Sequence, residues 1–238
     1  LQFDFYSNTK KYILEKKELF YKLELDLSRP LLLLGAGPQL IAPQEPYVAL
    51  QIAQAIRNLN INGNPQFLIR LHPDDRLDRW QNVISEFPEV HFSLPWELID
   101  ESKSLAIPTD DDIRLLASTL AHSDVVINTS SSMAIDAAIF DRPVLCLAYD
   151  ERPGKLFDLL CKKLYDREHY VPIVESGGVM MAYSHDQSIQ AINTYLKEPE
   201  RDRQERLNMV RLFDPFGDGK AGIRTANAIL DYLGEIEV

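Results

Sequence analysis

The chain has 238 residues, 45% of them hydrophobic, and its 25 Lys and Arg against 36 Asp and Glu leave a net charge of −11. That length suffices for one large domain or two small ones, and the acidic balance makes a nucleic-acid backbone a poor partner. Two cysteines, Cys146 and Cys161, with no CxxC, exclude a disulfide framework and a zinc ribbon, and no run of about 18 uncharged apolar residues is present to span a membrane.

The elements follow in chain order. Residues 7–24, "SNTKKYILEKKELFYKLE", carry a helical apolar rhythm and predict an amphipathic linker helix within an N-terminal region 1–27. "LLLLG" (31–35) predicts a buried strand, and "PQEPYVALQIAQAIRNL" a helix with Pro46 in its first turn, where a missing N–H costs little. "QFLIRL" (66–71) is a strand, 75–87 a helix and "VHFS" (90–93) a short strand. "TDDDIRLLASTLAHS" (109–123) is a helix with an N-cap threonine and three aspartates in its first turn, which suit the helix dipole. "DVVIN" (124–128) is a strand, 131–140 a helix, "PVLCLAY" (143–149) a strand and 154–166 a helix. "GVMMAY" (178–183) reads as a strand or edge, and helices follow over 185–199, 205–213 and 220–233. Segments 94–109 and 166–180 read as loops.

Strands alternating with helices of ten or more residues predict βαβ units. The expected fold is α/β, a Rossmann-like doubly wound parallel sheet of about six strands over residues 28–238. In such sheets ligands bind beyond the carboxyl ends of the strands. Four strand ends or turns carry unusual residues. Gly35 and Gly37 follow the first strand without GxGxxG spacing, and read either as a close approach of backbone to ligand or as a tight turn. "LIRLHPDD" places Arg70 in a strand and His72 just past it, able to donate to a phosphate or receive a proton, or simply a solvated turn residue.

"INTSSSMAID" is the richest stretch. Asn128, Thr129, Ser130, Ser131 and Ser132 stand where a strand ends and a helix begins, with Asp136 about one turn inside. One hydroxyl suffices for a cap; the surplus predicts a diphosphate held at a helix start. Finally, Asp218, Gly219 and Lys220 form a Gly-rich turn before the last helix, with Arg224 one turn in. The spacing is not that of a P-loop, and a docking turn is the alternative. There is no HExxH, no GxSxG and no metal-binding DxD.

Taken in order, "RPLLLLGAG…PQE" (29–45), "LIRLHP" (68–73), "LLASTLAHSDVVINTSSSMAIDAAIFDRPVLCLAYD" (115–150) and "FGDGKAGIRTANAIL" (216–230) resemble the C-terminal, donor-binding half of GT-B glycosyltransferases, near bacterial surface-polysaccharide and CDP-glycerol glycerophosphotransferase-like enzymes. The resemblance implies a nucleotide-diphosphate sugar as donor substrate, with no cofactor and no metal. Ser130, Ser131 and Ser132 would hold the diphosphate, and His72 would be a catalytic or phosphate contact. Where the glycerophosphotransferase branch commonly has "TDYSS" this chain has "INTSSS", which prefers a sugar donor. A CDP-glycerol transferase, a sugar-nucleotide epimerase and a non-catalytic nucleotide-binding module are the alternatives. Because the chain starts at Leu1, a fragment, a processed product or an excised domain is expected. The acceptor domain would then be missing or a separate subunit. A cytoplasmic setting follows from the resemblance, at the inner face of the membrane if the partner half associates there.

Overall fold

The computed structural model describes residues 3–95, 97–100, 105–152 and 158–236. Three short helices come first, α1 (Asp4–Ser7), α2 (Thr9–Tyr12) and α3 (Lys16–Lys22). The single helix expected over 7–24 is therefore broken. Asn8 starts a new turn by accepting the Lys11 N–H on its Oδ1, and Ile13 is extended. The Leu14 N–H then donates to Ser118 Oγ, and His122 Nε2 meets the Leu14 carbonyl. Tertiary hydrogen bonds have overridden local helical rhythm, and Leu19 and Phe20 end fully buried.

Next come β1 (Leu31–Gly35), α4 (Glu45–Arg57), β2 (Gln66–Arg70), a 3₁₀ turn (Leu77–Trp80) running into α5 (Gln81–Glu86), and β3 (His91–Ser93). The expected loop 94–109 contains a small antiparallel hairpin, β4 (Glu97–Asp100) and β5 (Leu105–Ile107). Then follow α6 (Asp110–His122), β6 (Val125–Asn128), α7 (Met133–Ile139), β7 (Val144–Leu147), α8 (Asp158–Lys163), a 3₁₀ turn (Leu164–Asp166) and α9 (Val171–Glu175). The chain closes with β8 (Met180–Ala182), α10 (His185–Lys197), α11 (Arg203–Phe213) and α12 (Ala221–Ile236). The start of the helix expected over 154–166 lies outside the described residues.

The main sheet has six parallel strands in the order β3-β2-β1-β6-β7-β8, as the strand rhythm predicts. Its strands are apolar without alternation because helices cover both faces. Leu32 and Leu34 point into a layer with α4, α5 and α10, while Leu31 and Leu33 point into one with α3, α6, α7 and α11. All four leucines are fully buried, each a gross gain of about 2 kcal/mol. The strand order reverses between β1 and β6, and this is the switch point at which α/β sheets open a crevice.

Candidate functional site

One row of residues crosses the carboxyl ends of the sheet. Gly35 is registered with Arg70 on one side and Asn128 on the other, Arg70 with Ser93, and Asn128 with Cys146. With strands about 4.8 Å apart, Arg70 and Asn128 stand about 10 Å apart across the switch point. The structure thus gathers Gly35, Arg70, His72 and the serine loop at one edge of the sheet.

The glycines have packing reasons. A Cβ on Gly35 would lie 2.1 Å from Met133 Sδ, so the bare backbone admits the first side chain of α7 over the end of β1. A Cβ on Gly37 would lie 3.1 Å from Ala42 Cβ, and the Gly37 N–H donates to Glu45 Oε2 at 2.8 Å. The room at both glycines is taken by the protein's own side chains.

The serine loop is more occupied than a simple anion cradle. The Ser130 N–H donates to the Tyr165 hydroxyl at 3.0 Å, with Ser130 at φ 46° in the left-handed region. The Ser131 N–H donates to Asn128 Oδ1 at 3.1 Å, and Ser131 Oγ accepts the Met133 N–H at 3.2 Å. Tyr170 reaches the same cluster, its hydroxyl 3.3 Å from Asn128 Oδ1 and 3.5 Å from Cys146 Sγ. Ser132 differs. It is exposed, and neither its N–H nor its hydroxyl has a partner among the described residues. Only one of the three serines is therefore open on both its amide and its hydroxyl. Thr129 and Asn128 are buried, and Asn128 Nδ2 stays unpartnered among the described residues.

Across the switch point, His72 Nδ1 accepts the Asp74 N–H at 3.0 Å. That bond places the proton of a neutral ring on Nε2, which has no partner among the described residues, on a side chain 37% exposed. Arg70 is nearly buried, donating to Ser93 Oγ at 3.1 Å, and desolvation lowers its pKa. Asp136 is buried in α7 against the Tyr6 hydroxyl; burial pushes its carboxyl up to about 6, while the Tyr6 hydrogen bond pulls it down. Lys220 is exposed, its own N–H donating to Asp218 Oδ1. That turn docks on α1: Asp4 accepts the Ala221 and Gly222 N–H groups at 3.0 and 2.8 Å, which makes it the helix cap of α12. The turn that carries Lys220 thus leans on α1, whose Tyr6 meets Asp136 of α7.

Sequence reasoning missed a buried polar cluster behind the row. Glu45, fully buried in the first turn of α4, lies 3.9 Å from Arg79, and Arg79 pairs with Asp75 at 2.8 Å. The i,i+4 spacing of Asp75 and Arg79 was a readable signal; that Glu45 folds back beneath Gly37 was not. A concavity of about 400 Å³ opens at the opposite, amino-terminal edge of the sheet between Pro30, Asp124, Arg142 and Arg203, where Asp141 already pairs with Arg203 and Arg206. No group of three or more His, Cys, Asp or Glu among the described residues is arranged to hold a metal ion.

The fold and the residues at its switch point define the class: one Rossmann-like half of a GT-B architecture. Solved structures share it. A variant of the wall teichoic acid polymerase TagF soaked with CDPG matches with a TM-score of 0.58 at 16% identity, over 100% of this chain and 50% of that one. UDP-GlcNAc 2-epimerase from Neisseria meningitidis, bound to UDP-GlcNAc, matches with a TM-score of 0.52 at 18% identity over 91% and 48%. S. aureus MnaA with UDP matches with a TM-score of 0.55 at 17% identity over 97% and 53%. The chain spans about half the length of each. No curated protein matches. Residues 90–231 match the family described as CDP-Glycerol:Poly(glycerophosphate) glycerophosphotransferase, and the chain belongs to that family. Asn128 to Asp136 and Lys220 fall inside the matched segment; Gly35, Gly37, Arg70 and His72 precede it.

Proposed function

We propose that this chain is the donor-binding half of a transferase that uses a nucleoside-diphosphate-activated donor, and that the donor is CDP-glycerol. The family match over residues 90–231 carries this reading, because it encloses the serine loop at the switch point. Transfer of glycerol phosphate would proceed by attack of an acceptor hydroxyl oxygen on the glycerol-bearing phosphorus. The bridging P–O bond breaks, the hydroxyl proton is lost, and CMP leaves with the negative charge. Groups open at the strand ends suit that charge: the amide and hydroxyl of Ser132 and the Nε2–H of His72, donors that cost little reorganisation because their loops are already held. Arg70 would add a fixed positive charge behind them. In this reading no metal is required, and Asn128, Thr129, Ser130, Ser131 and Asp136 shape the floor.

A second reading keeps the same site with a nucleotide sugar as donor, favoured by "INTSSS" where the glycerophosphotransferase branch commonly has "TDYSS". The anomeric C–O bond would then break and a nucleoside diphosphate would leave. In both readings an acceptor-binding domain or partner subunit completes the enzyme, with a surface glycan or similar polymer as acceptor and any membrane association through that half. No helix among the described residues is long and apolar enough to cross a membrane.

Calorimetric titration of the chain with CDP-glycerol, CDP, UDP, GDP and UDP-N-acetylglucosamine tests this. Saturable binding of CDP and CDP-glycerol above the other nucleotides supports the first reading. Preference for a UDP or GDP compound moves the assignment to the second. Rapid formation of epimer or free sugar from UDP-N-acetylglucosamine without acceptor, or no binding by any compound, overturns both.

A further inference from the structure

Three loops meet behind the row of strand ends, and one buried cluster ties them together. The loop after β1 is held from below: the Gly37 N–H donates to Glu45 Oε2 at 2.8 Å, and the Gly37 and Ala42 carbonyls both accept from the Arg79 guanidinium. The turn after β2 is held by Asp75, whose N–H donates to the His72 carbonyl at 2.9 Å while its carboxylate accepts from Arg79 and, at 2.9 Å, from Trp80 Nε1. The third loop begins at Thr129, whose hydroxyl lies beside the Glu45 carboxyl and favours its charged form. Glu45 is faced by Arg79 and Asp75 from the segment after β2, by Thr129 after β6 and by Tyr165 from the 3₁₀ turn.

We infer that Glu45 and Arg79 are positioning residues that fix the spacing between the Gly35–Ala42 loop, the His72 turn and the serine loop, and so hold the walls of the donor site in register. The inference rests on the donor-site reading above. Buried ion pairs are a poor source of stability, since their desolvation offsets their attraction. A network built for stability alone would also satisfy its members, yet Arg79 Nε is buried without a partner among the described residues. What the cluster does supply is geometry: one guanidinium fork touches carbonyls of the first loop and the carboxylate of the second. Charge fits as well. Desolvation pushes the Glu45 carboxyl up to about 8, so at neutral pH it is a neutral acid, leaving Arg79 and Asp75 as the charged pair. Ionisation of Glu45 above that value sets a second buried carboxylate beside Asp75 on the single Arg79 guanidinium and strains the clamp.

The test is CDP titration of the full chain between pH 7 and 9 for wild type, Glu45→Gln, Glu45→Ala and Arg79→Met, with thermal melts alongside. Gln is the isostere of the neutral acid. It should bind CDP within about threefold of wild type at pH 7, and at pH 9 should keep the affinity that wild type loses by about tenfold. Glu45→Ala and Arg79→Met should weaken CDP by tenfold or more while still folded at the assay temperature. If Arg79→Met does not fold, Arg79→Lys replaces it, keeping the charge but losing the fork, with the same loss expected. Folded Ala, Met or Lys variants that bind CDP as wild type does overturn the inference, as does a Gln variant that loses affinity with pH in parallel with wild type. Wild type that binds neither CDP nor CDP-glycerol at any pH overturns the donor-site reading itself, a separate outcome.

Discussion

The Tyr6 hydroxyl of α1 meets the buried Asp136 carboxyl of α7, so the first helix of the chain is pinned to the helix that follows the serine loop. Tyr6 also packs edge-on against Phe140, with ring centroids 5.1 Å apart. The pair has a pH consequence. An unfolded aspartate titrates near 4, whereas burial holds Asp136 at about 6. Between those values the folded chain keeps a proton that the unfolded chain has shed, so this group's contribution to stability falls as pH rises from about 4 to about 6. Asp136→Asn removes the titration. The wild-type minus variant stability, followed by denaturant melts from pH 3 to 7, should decline across that window by up to about 3 kcal/mol. A flat difference refutes the assignment. Tyr6→Phe should cost about 1 to 3 kcal/mol at pH 7, because the ionised carboxylate then loses its donor.

Gly35 and Met133 compete for one space. Gly35→Ala brings a methyl to 2.1 Å from Met133 Sδ, and relief requires α7 to shift or the methionine to leave its rotamer. The expected loss is about 1 to 3 kcal/mol, read as a lower denaturation midpoint at unchanged slope. Met133→Ala frees the space, so in the double variant the alanine at 35 should cost less than half as much as it does alone. Equal costs in the two backgrounds would mean that Gly35 is required for its own backbone rather than for helix packing.

Thr109 and Asp112 form a capping box at the start of α6. Thr109 Oγ1 accepts the Asp112 N–H at 3.2 Å, and Asp112 Oδ2 accepts the Thr109 N–H at 3.1 Å. Thr109→Ala should lower stability by about 1 kcal/mol in thermal or denaturant unfolding and leave nucleotide affinity unchanged. A loss of affinity at full stability would show that this helix start contributes to the site.

What the sequence disclosed, and what it hid, divides along physical lines. The strand Leu31–Leu34 is legible because a run of leucines bounded by Pro30 and Gly35 has no other stable home than a sheet covered on both faces. The N-cap at Thr109 is legible because capping is local. The serine loop was placed correctly where a strand ends and a helix begins, but that two of its three serine amides are already taken was hidden. The Ser130 amide is taken by Tyr165 and the Ser131 amide by the Asn128 side chain, and the tyrosine contact depends on chain far away in sequence. The break at Asn8 and Ile13 was hidden for the same reason, since Ser118 and His122 supply the hydrogen bonds that replace the helix. Gly35 reads from sequence as room for a ligand, and only packing shows Met133 filling it.

The unequal serines allow a sharp dissection of the site. Ser131 Oγ accepts the Met133 N–H, so Ser131→Ala should cost about 1 kcal/mol of stability through the loop. Ser132 has no such duty among the described residues, so Ser132→Ala should leave unfolding within about 0.5 kcal/mol of wild type. Its effect should fall on ligand instead, with CDP or CDP-glycerol affinity reduced about tenfold by loss of a hydroxyl donor to a charged group. His72→Ala should act likewise through Nε2, and His72→Asn, whose side chain reaches less far, should recover at most part of the loss. Because Ser132 and His72 stand on opposite sides of the switch point and share no partner, their effects on affinity should add within about 0.5 kcal/mol. Calorimetry on the two single variants and the double variant decides this. A double variant no weaker than either single one would mean that only one side of the switch point touches the nucleotide, and the site would have to be redrawn around that side.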